Sequence, residues 1–187
     1  MQPDHANIRR WIIRYTRQAV FALSGIRPQA GKVWMADETR LTTHVSGSRA
    51  VWLWDIMDIK TRFLLATGFS AKRSALDFDA LLDLAARRAG ILPDTVLADV
   101  LIPRIDTTRG FKVDPSIKSA RRMLGVLRDR NPIVQRLGNR NVAHLVVSGW
   151  AVHYNFFRPH LELEGKTPAE AAGVEPPLKN WADVVGM

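Results

Sequence analysis

Five consecutive segments of the chain have the sequence pattern of either a β-strand or an α-helix, and few folds contain these elements in this order. Three apolar segments rich in branched and aromatic residues, 33–41, 51–61 and 63–71, follow one another closely, and their spacing predicts an antiparallel meander. A segment with helical periodicity follows at 74–89, and a short apolar strand at 95–101. The order strand, strand, strand, helix, strand predicts an α/β fold.

The second half of the chain is predicted to be mainly helical. Asp114 and Pro115 form a helix-start pattern, with the aspartate as N-cap, and predict a helix that runs to about residue 130. A strongly apolar helix is predicted at 141–157 and a short one at 167–172.

An amphipathic helix is predicted near the N-terminus, at 7–24. Arg10, Arg14 and Arg17 lie off its apolar stripe, where they either contact DNA phosphates or form an ordinary solvated face. Gly25 ends the helix, and a linker follows.

The composition excludes several classes of protein. The chain has 187 residues and no cysteine, which excludes disulfide scaffolds, cysteine nucleophiles and thiolate zinc sites. No apolar run approaches the roughly 18 residues of a membrane span. The polar N-terminus does not have the pattern of a secretory signal, so we expect a cytoplasmic protein that contacts no membrane.

The net charge of +9 points to a polyanionic partner. Arginine, whose guanidinium binds phosphate through two parallel hydrogen bonds, supplies most of the basic residues. Residues 100–161 carry 11 basic and 3 acidic side chains, a net +8, whereas residues 37–99 are nearly neutral. This distribution suits a carboxylate site surrounded by positive charge, with DNA as the expected partner, and it also suits a plain domain with basic helices on its surface.

Two aspartates, Asp37 and Asp99, lie inside predicted strands between apolar neighbours. A charge in such a position is costly unless it is paired or binds a metal, and Mg²⁺ prefers carboxylate oxygens. The two aspartates are therefore candidate metal ligands, unless both lie at solvated strand ends. Asp58 is predicted to have a structural role in a turn with Thr61, and Asp55 falls on the opposite face of its strand from Asp58.

Six segments in this order resemble the DDE transposases of insertion sequences, which belong to the retroviral-integrase superfamily. They are ADET (36–39), WLWDIMDIKTRFLLA (52–66), TVLADV (95–100), GVLRDR (125–130), HYNFFRPH (153–160) and GKTPAEAAG (165–173). The last two are the most specific. The resemblance implies a ribonuclease H-like fold, which is a mixed sheet flanked by helices. It further implies strand transfer of transposon ends that depends on Mg²⁺ or Mn²⁺. It also implies a homo-oligomer on those ends, no small-molecule substrate, and a prokaryotic, nucleoid-associated protein.

The third acidic position of the resembled family is not acidic in this chain. Counting back from Gly125 places Arg121 where the family has a glutamate, and an alternative register places Gln135 there. No glutamate occurs between Glu38 and Glu162. The interval between Asp99 and Arg121 is also shorter than is usual in the family. Catalysis is therefore expected to be impaired and metal binding weak, unless another acid substitutes, for which the candidates are Asp114 and Asp129.

The predicted organisation has three parts. Residues 1–30 are a helix left from a helix-turn-helix module with its linker, 31–175 the ribonuclease H-like domain with catalytic and metal-binding Asp37 and Asp99, and 176–187 a tail. Seven arginines are expected to contact DNA: Arg10, Arg14, Arg17, Arg122, Arg128, Arg130 and Arg158. The predicted function is DNA binding for transposition, with a non-catalytic DNA-binding module or repressor as the alternative.

Overall fold

A five-stranded mixed sheet forms the centre of the molecule in the computed structural model, which describes residues 4–41, 51–98, 107–115, 125, 130–135 and 139–187. The helices and strands are, in chain order, α1 His5–Leu23, β1 Val33–Leu41, β2 Val51–Asp58, β3 Leu64–Ser70, α2 Ala75–Ala89, β4 Thr95–Ala98, β5 Lys112–Asp114, α3 Asn131–Gln135, α4 Arg140–Val152, α5 Pro168–Ala171 and α6 Trp181–Val185. A π-helical turn, His153–Phe157, continues directly from α4.

The sheet has the strand order β3-β2-β1-β4-β5. Strands β1, β2 and β3 are antiparallel neighbours, which confirms the predicted meander, and β4 and β5 run parallel to β1. The crossover from β3 to β4 is made by α2, as parallel pairing requires. In this strand order, the central strand β1 lies between β2, which carries the carboxylate of Asp55, and β4.

Side chains of β1 and β2 alternate between two cores. Trp34 and Ile56 belong to the larger core, which includes α2. The ring of Phe78 in that helix packs against the ring of Trp54, with the two ring centroids 6.2 Å apart. Met35 and Met57 point to the other face, which α4 and the turn after it cover. Period-two alternation of buried side chains is what a sheet covered on both faces requires.

Helix α1 is held against α4 by a close backbone approach. The position that a Cβ of Gly149 would occupy lies 2.5 Å from Cγ2 of Thr16, so only glycine allows this separation. Ala19 and Leu23 of α1 are fully buried in the larger core. The predicted amphipathic helix thus buries the second half of its apolar stripe against the sheet domain, whereas Ile8, Trp11 and Ile12 in the first half are exposed. Among the described residues, no helix is both long and apolar enough to cross a membrane.

Two predicted elements differ from the observed ones. Strand β2 ends at Asp58, because the carboxylate of Asp58 accepts a hydrogen bond from the amide of Thr61 and turns the chain there. The predicted helix N-cap Asp114 is instead the last residue of β5, where it pairs with Leu97. Residues 116–124, which would begin that helix, lie outside the described part of the chain.

Asn155 links the π-helical turn to the sheet. Its side-chain oxygen accepts a hydrogen bond from the amide of Leu64 at 2.8 Å, and its nitrogen donates to the carbonyl of Leu64 at 3.0 Å. The side chain is fully buried. Leu64 is the first residue of β3, so Asn155 satisfies both backbone groups at the start of that strand.

We expect Asn155→Leu to lower the free energy of unfolding by about 2–4 kcal/mol, because the substitution leaves a buried N–H and a buried C=O without partners. Urea unfolding followed by circular dichroism measures the change. Asn141→Ala, at an exposed position of α4, is the control and should cost less than about 0.5 kcal/mol. Equal stabilities of the two variants would contradict the role assigned to Asn155.

Candidate functional site

Two buried carboxylates face each other across the central strands. Asp37 of β1 pairs directly with Asp55 of β2 in the antiparallel register, so both side chains project from the same face of the sheet. The two residues are only 7% and 5% exposed. This is the face covered by α4, and not the face packed on α2.

Asp55 forms an ion pair with Arg130, the residue immediately before α3. Nη2 of Arg130 donates to Oδ2 of Asp55, and Arg130 is 1% exposed. The guanidinium carbon of Arg130 also lies 5.0 Å from the ring centroid of Trp150 on α4. Oδ1 of Asp55 and the Nε and Nη1 atoms of Arg130 are buried and find no hydrogen-bond partner among the described residues. The pair is therefore held by a single hydrogen bond rather than two.

Aromatic side chains form the wall of the site behind Arg130. Trp150 stacks on Tyr154 with ring centroids 5.2 Å apart and an interplanar angle of 17°. The rings of Tyr154 and His160 pack edge to face, with their centroids 4.7 Å apart. Burial raises the pKa of Tyr154 to about 12, so its hydroxyl stays protonated and is no general base near neutral pH.

The two histidines of the HYNFFRPH segment, His153 and His160, both have a lowered pKa. Burial, and next the positive charge of Arg158, lower the pKa of His153. The same two causes, in the same order, lower the pKa of His160. Because Tyr154 and Phe156 are also buried, the segment packs the end of α4 against the sheet.

The remaining predicted site residues fall in two groups. Asp99, Arg121, Arg122, Arg128 and Asp129 lie outside the described residues. The last described residue of β4, Ala98, pairs with Ala36, the neighbour of Asp37 in sequence. Asp114 is half-buried at the end of β5, and Gln135 is the last residue of α3.

The predicted DNA-contacting arginines that the structure describes differ in exposure. Arg10, Arg14 and Arg17 are exposed on α1, where a spacing of four and then three residues places them along one side of the helix. Arg158 is half-buried. Arg130, by contrast, is directed into the protein toward Asp55, and in this arrangement its guanidinium does not face solvent.

Carboxylate oxygens at Asp37 and Asp55 are of the type that Mg²⁺ and Mn²⁺ bind. The unpartnered Oδ1 of Asp55 shows that a buried acceptor is available at this place. Within the described ranges, no group of three or more histidine, cysteine, aspartate or glutamate side chains could hold a metal. The described residues thus bring together two buried carboxylates and one buried cation, Arg130.

Sequence reasoning missed the association of Asp55 with Asp37. The alternation of β2 does place Asp55 on the face opposite Trp54 and Asp58. The pairing register of β1 and β2, however, depends on the connection between them and is not readable from alternation alone. The ion pair with Arg130 joins positions 75 residues apart, and no local pattern indicates it.

No protein-family model matches the chain, and no curated protein matches it. Solved structures do. The HTLV-2 integrase catalytic core domain, solved in complex with magnesium in a dimeric form, aligns with 79% of this chain and 97% of its own length, with a TM-score of 0.57 and 15% sequence identity. The fold is that of a retroviral integrase catalytic core. This confirms the prediction of a ribonuclease H-like mixed sheet flanked by helices.

A chain of the simian T-cell lymphotropic virus intasome, solved in complex with the PP2A regulatory subunit B56 gamma, gives a similar result. The alignment covers 83% of this chain and 58% of the intasome chain, with a TM-score of 0.54 and 16% identity. At such low identity the similarity shows the fold alone. The activity has to be argued from the residues of the site.

Proposed function

We propose that the chain is a DNA-binding protein of the DDE transposase and integrase type, built for Mg²⁺- or Mn²⁺-dependent strand transfer and impaired in its chemistry. One observation carries the proposal: a carboxylate, Asp37, is buried in the middle of the central strand of an integrase-core sheet. An aspartate adds no apolar packing at this position, and burying its charge is costly unless a cation compensates it.

Asp37 and Asp99 are the residues that would hold the metal. A divalent ion bound there supplies charge stabilisation for an attacking or leaving oxygen at phosphorus. The chain's own contribution is to fix the two carboxylates on a rigid sheet. The third position is occupied by Arg121, whose positive charge opposes a metal ion instead of binding it. Weak metal binding and poor catalysis follow from that substitution.

The proposed DNA surface combines the exposed arginines of α1 with the basic segment 100–161. Arg10, Arg14 and Arg17 supply a row of exposed guanidinium groups along one side of α1, where each can neutralise a phosphate. Arg122, Arg128 and Arg158 are the proposed contacts from the second half of the chain. We leave Arg130 out of this surface, because its guanidinium is buried against Asp55.

Two further features of the proposal extend from the same resemblance. The chain would act as a homo-oligomer on transposon ends, for which the dimeric form of the HTLV-2 core gives structural support. It would act in a prokaryotic cytoplasm, associated with the nucleoid.

A non-catalytic role is the second candidate, as a DNA-binding module or a repressor derived from a transposase. Two observations favour it. The third acidic position is Arg121, and a second arginine, Arg130, already neutralises the carboxylate beside Asp37. Such a protein would occupy transposon ends, alone or in mixed oligomers, without transferring a strand.

We expect duplex DNA to be bound with weak sequence preference and a steep salt dependence. Fluorescence anisotropy of a labelled 30-base-pair duplex of arbitrary sequence, measured between about 50 and 200 mM salt, gives the slope of log affinity against log salt. Replacing Arg10, Arg14 and Arg17 together by glutamine should reduce that slope by about 3, or about 1 for each phosphate that the protein no longer neutralises.

The matched control replaces three other exposed basic residues, Lys60, Lys72 and Lys179, by glutamine. It removes the same net charge but should leave the slope nearly unchanged. Binding that does not respond to salt, or an equal effect of both triple variants, would contradict the surface assigned to α1.

A further inference from the structure

We propose that Asp55 is a further metal ligand, which shares one divalent cation with Asp37, and that Arg130 is the internal cation that this metal must displace. The inference rests on the proposed function, since the cation is the one that strand transfer requires. It adds a ligand from β2, a strand to which the sequence resemblance assigns no catalytic residue.

The strand register brings the two carboxylates to one place. Directly opposed residues of an antiparallel pair have Cβ atoms about 4.5–5.5 Å apart, and like charges in such positions repel each other. Asp37 and Asp55 are opposed in this way and nearly buried. Two carboxylates at this separation can both reach one ion whose ligand distance is about 2.1 Å.

The ion pair with Arg130 engages only one of the two carboxylate oxygens of Asp55. An arginine and a carboxylate can form two parallel hydrogen bonds, and this is their strongest arrangement. Here only Oδ2 of Asp55 is engaged, while Oδ1 is buried without a partner in the described structure. The side chain of Asp55 is 6% exposed, so water does not readily replace the missing partner. Oδ1 is therefore a buried acceptor that a metal ion would satisfy.

Arg130 is placed to act as a replaceable counter-ion. Its backbone is fixed, because its carbonyl accepts hydrogen bonds from the amides of Ile133 and Val134 in α3. Its guanidinium has a second contact, the ring of Trp150 at 5.0 Å, that does not depend on the carboxylate. Arg130 consequently keeps a favourable contact when a metal takes Asp55, and its two unpartnered nitrogens show that the present pairing is incomplete.

Competition between Arg130 and a metal sets the metal affinity in this arrangement. A full positive charge next to Asp55 weakens binding of a second cation there, and removing that charge strengthens it. If the pair were only structural, Arg130 would have no influence on metal binding and Asp55 would not be needed for it. The two explanations predict different metal affinities for the same variants.

The experiment is a titration of the full chain with Mn²⁺, in which electron paramagnetic resonance measures the free ion. Arg130→Gln should bind Mn²⁺ at least about tenfold more tightly than the wild type, which corresponds to about 1.4 kcal/mol of electrostatic competition. Asp55→Asn combined with Arg130→Gln should bind at least about tenfold more weakly than Arg130→Gln alone, since the arginine is absent from both and only the ligand differs. Arg109→Gln, which breaks the more exposed ion pair with Asp83, is the control and should equal the wild type.

Equal Mn²⁺ affinity of the wild type and Asp55→Asn would overturn the proposal, as would an Arg130→Gln variant that binds no more tightly than the wild type. Circular dichroism verifies that each variant is folded. Should Arg130→Gln not fold, the comparison of the wild type with Asp55→Asn decides alone, with weaker binding by Asp55→Asn as the expected result. The titration contains no DNA, so its failure is distinguishable from a failure of DNA binding or strand transfer.

Discussion

Asp58→Ala should destabilise the fold by about 3–5 kcal/mol, because it removes a buried carboxylate that three donors share. Oδ2 of Asp58 accepts from the amide and the hydroxyl of Thr61 at 2.9 and 2.6 Å, and Oδ1 accepts from the amide of Gly31 at 3.1 Å. Asp58 is fully buried. The substitution leaves these donors without a partner and frees both the turn after β2 and the chain entering β1.

Urea unfolding followed by circular dichroism measures the loss. Asp94→Ala is the matched control: Asp94 forms an ion pair with Lys32 at 3.2 Å, but the two side chains are 69% and 62% exposed. Exposed pairs contribute about 0–1 kcal/mol, so this variant should be close to the wild type. A loss below about 1 kcal/mol in Asp58→Ala would show that the turn does not depend on its carboxylate.

The fold was largely predictable because the sequence signals were local and strong. The alternating segment Val33–Leu41 is β1 to the residue, and the helical periodicity of 74–89 matches α2, which begins after the N-cap Ser74 and ends at Gly90 with φ of 72°. The structural role predicted for Asp58 is also confirmed. Each of these depends on side-chain period or on a hydrogen bond within a few residues.

Other features were not predictable because competing interactions decide them. The helix predicted at 141–157 changes to a π-helical turn at His153, where Asn155 bonds to the distant residue Leu64. Asp114 and Pro115 read as a helix start, yet Asp114 pairs with β4. In both cases contacts made by tertiary structure override local preference.

The candidate site was predictable only in part. Asp37 could be predicted as a candidate site residue because it is a charged residue inside an apolar strand, and the structure places it buried in that strand. Asp55 and Arg130 come together through strand register and a contact between distant segments, which sequence alternation does not encode. The positions of Asp99 and Arg121 lie outside the described residues, so the metal-binding role of Asp99 and the effect of Arg121 stay predictions.

The second prediction with a large expected effect concerns the strand-transfer activity of the chain. Phosphoryl transfer by two metal ions needs both ions in place, and a misplacement of about 1 Å can cost about a hundredfold in rate. The resemblance implies that Arg121 takes the third acidic position, and on that register the wild type should give no product above the background set by Asp37→Asn. Arg121→Glu should increase metal binding but restore activity only poorly, because the interval between Asp99 and Arg121 is shorter than is usual in the resembled family.

The most direct measurement is divalent-dependent strand transfer on a plasmid that carries the inverted repeats flanking the coding sequence. It compares the wild type, Arg121→Glu, Arg121→Ala, Asp99→Asn and Asp37→Asn in Mg²⁺ and in Mn²⁺. We predict product only for Arg121→Glu, at a low level. Robust transfer by the wild type that survives Arg121→Ala and is lost in Asp99→Asn would contradict the account.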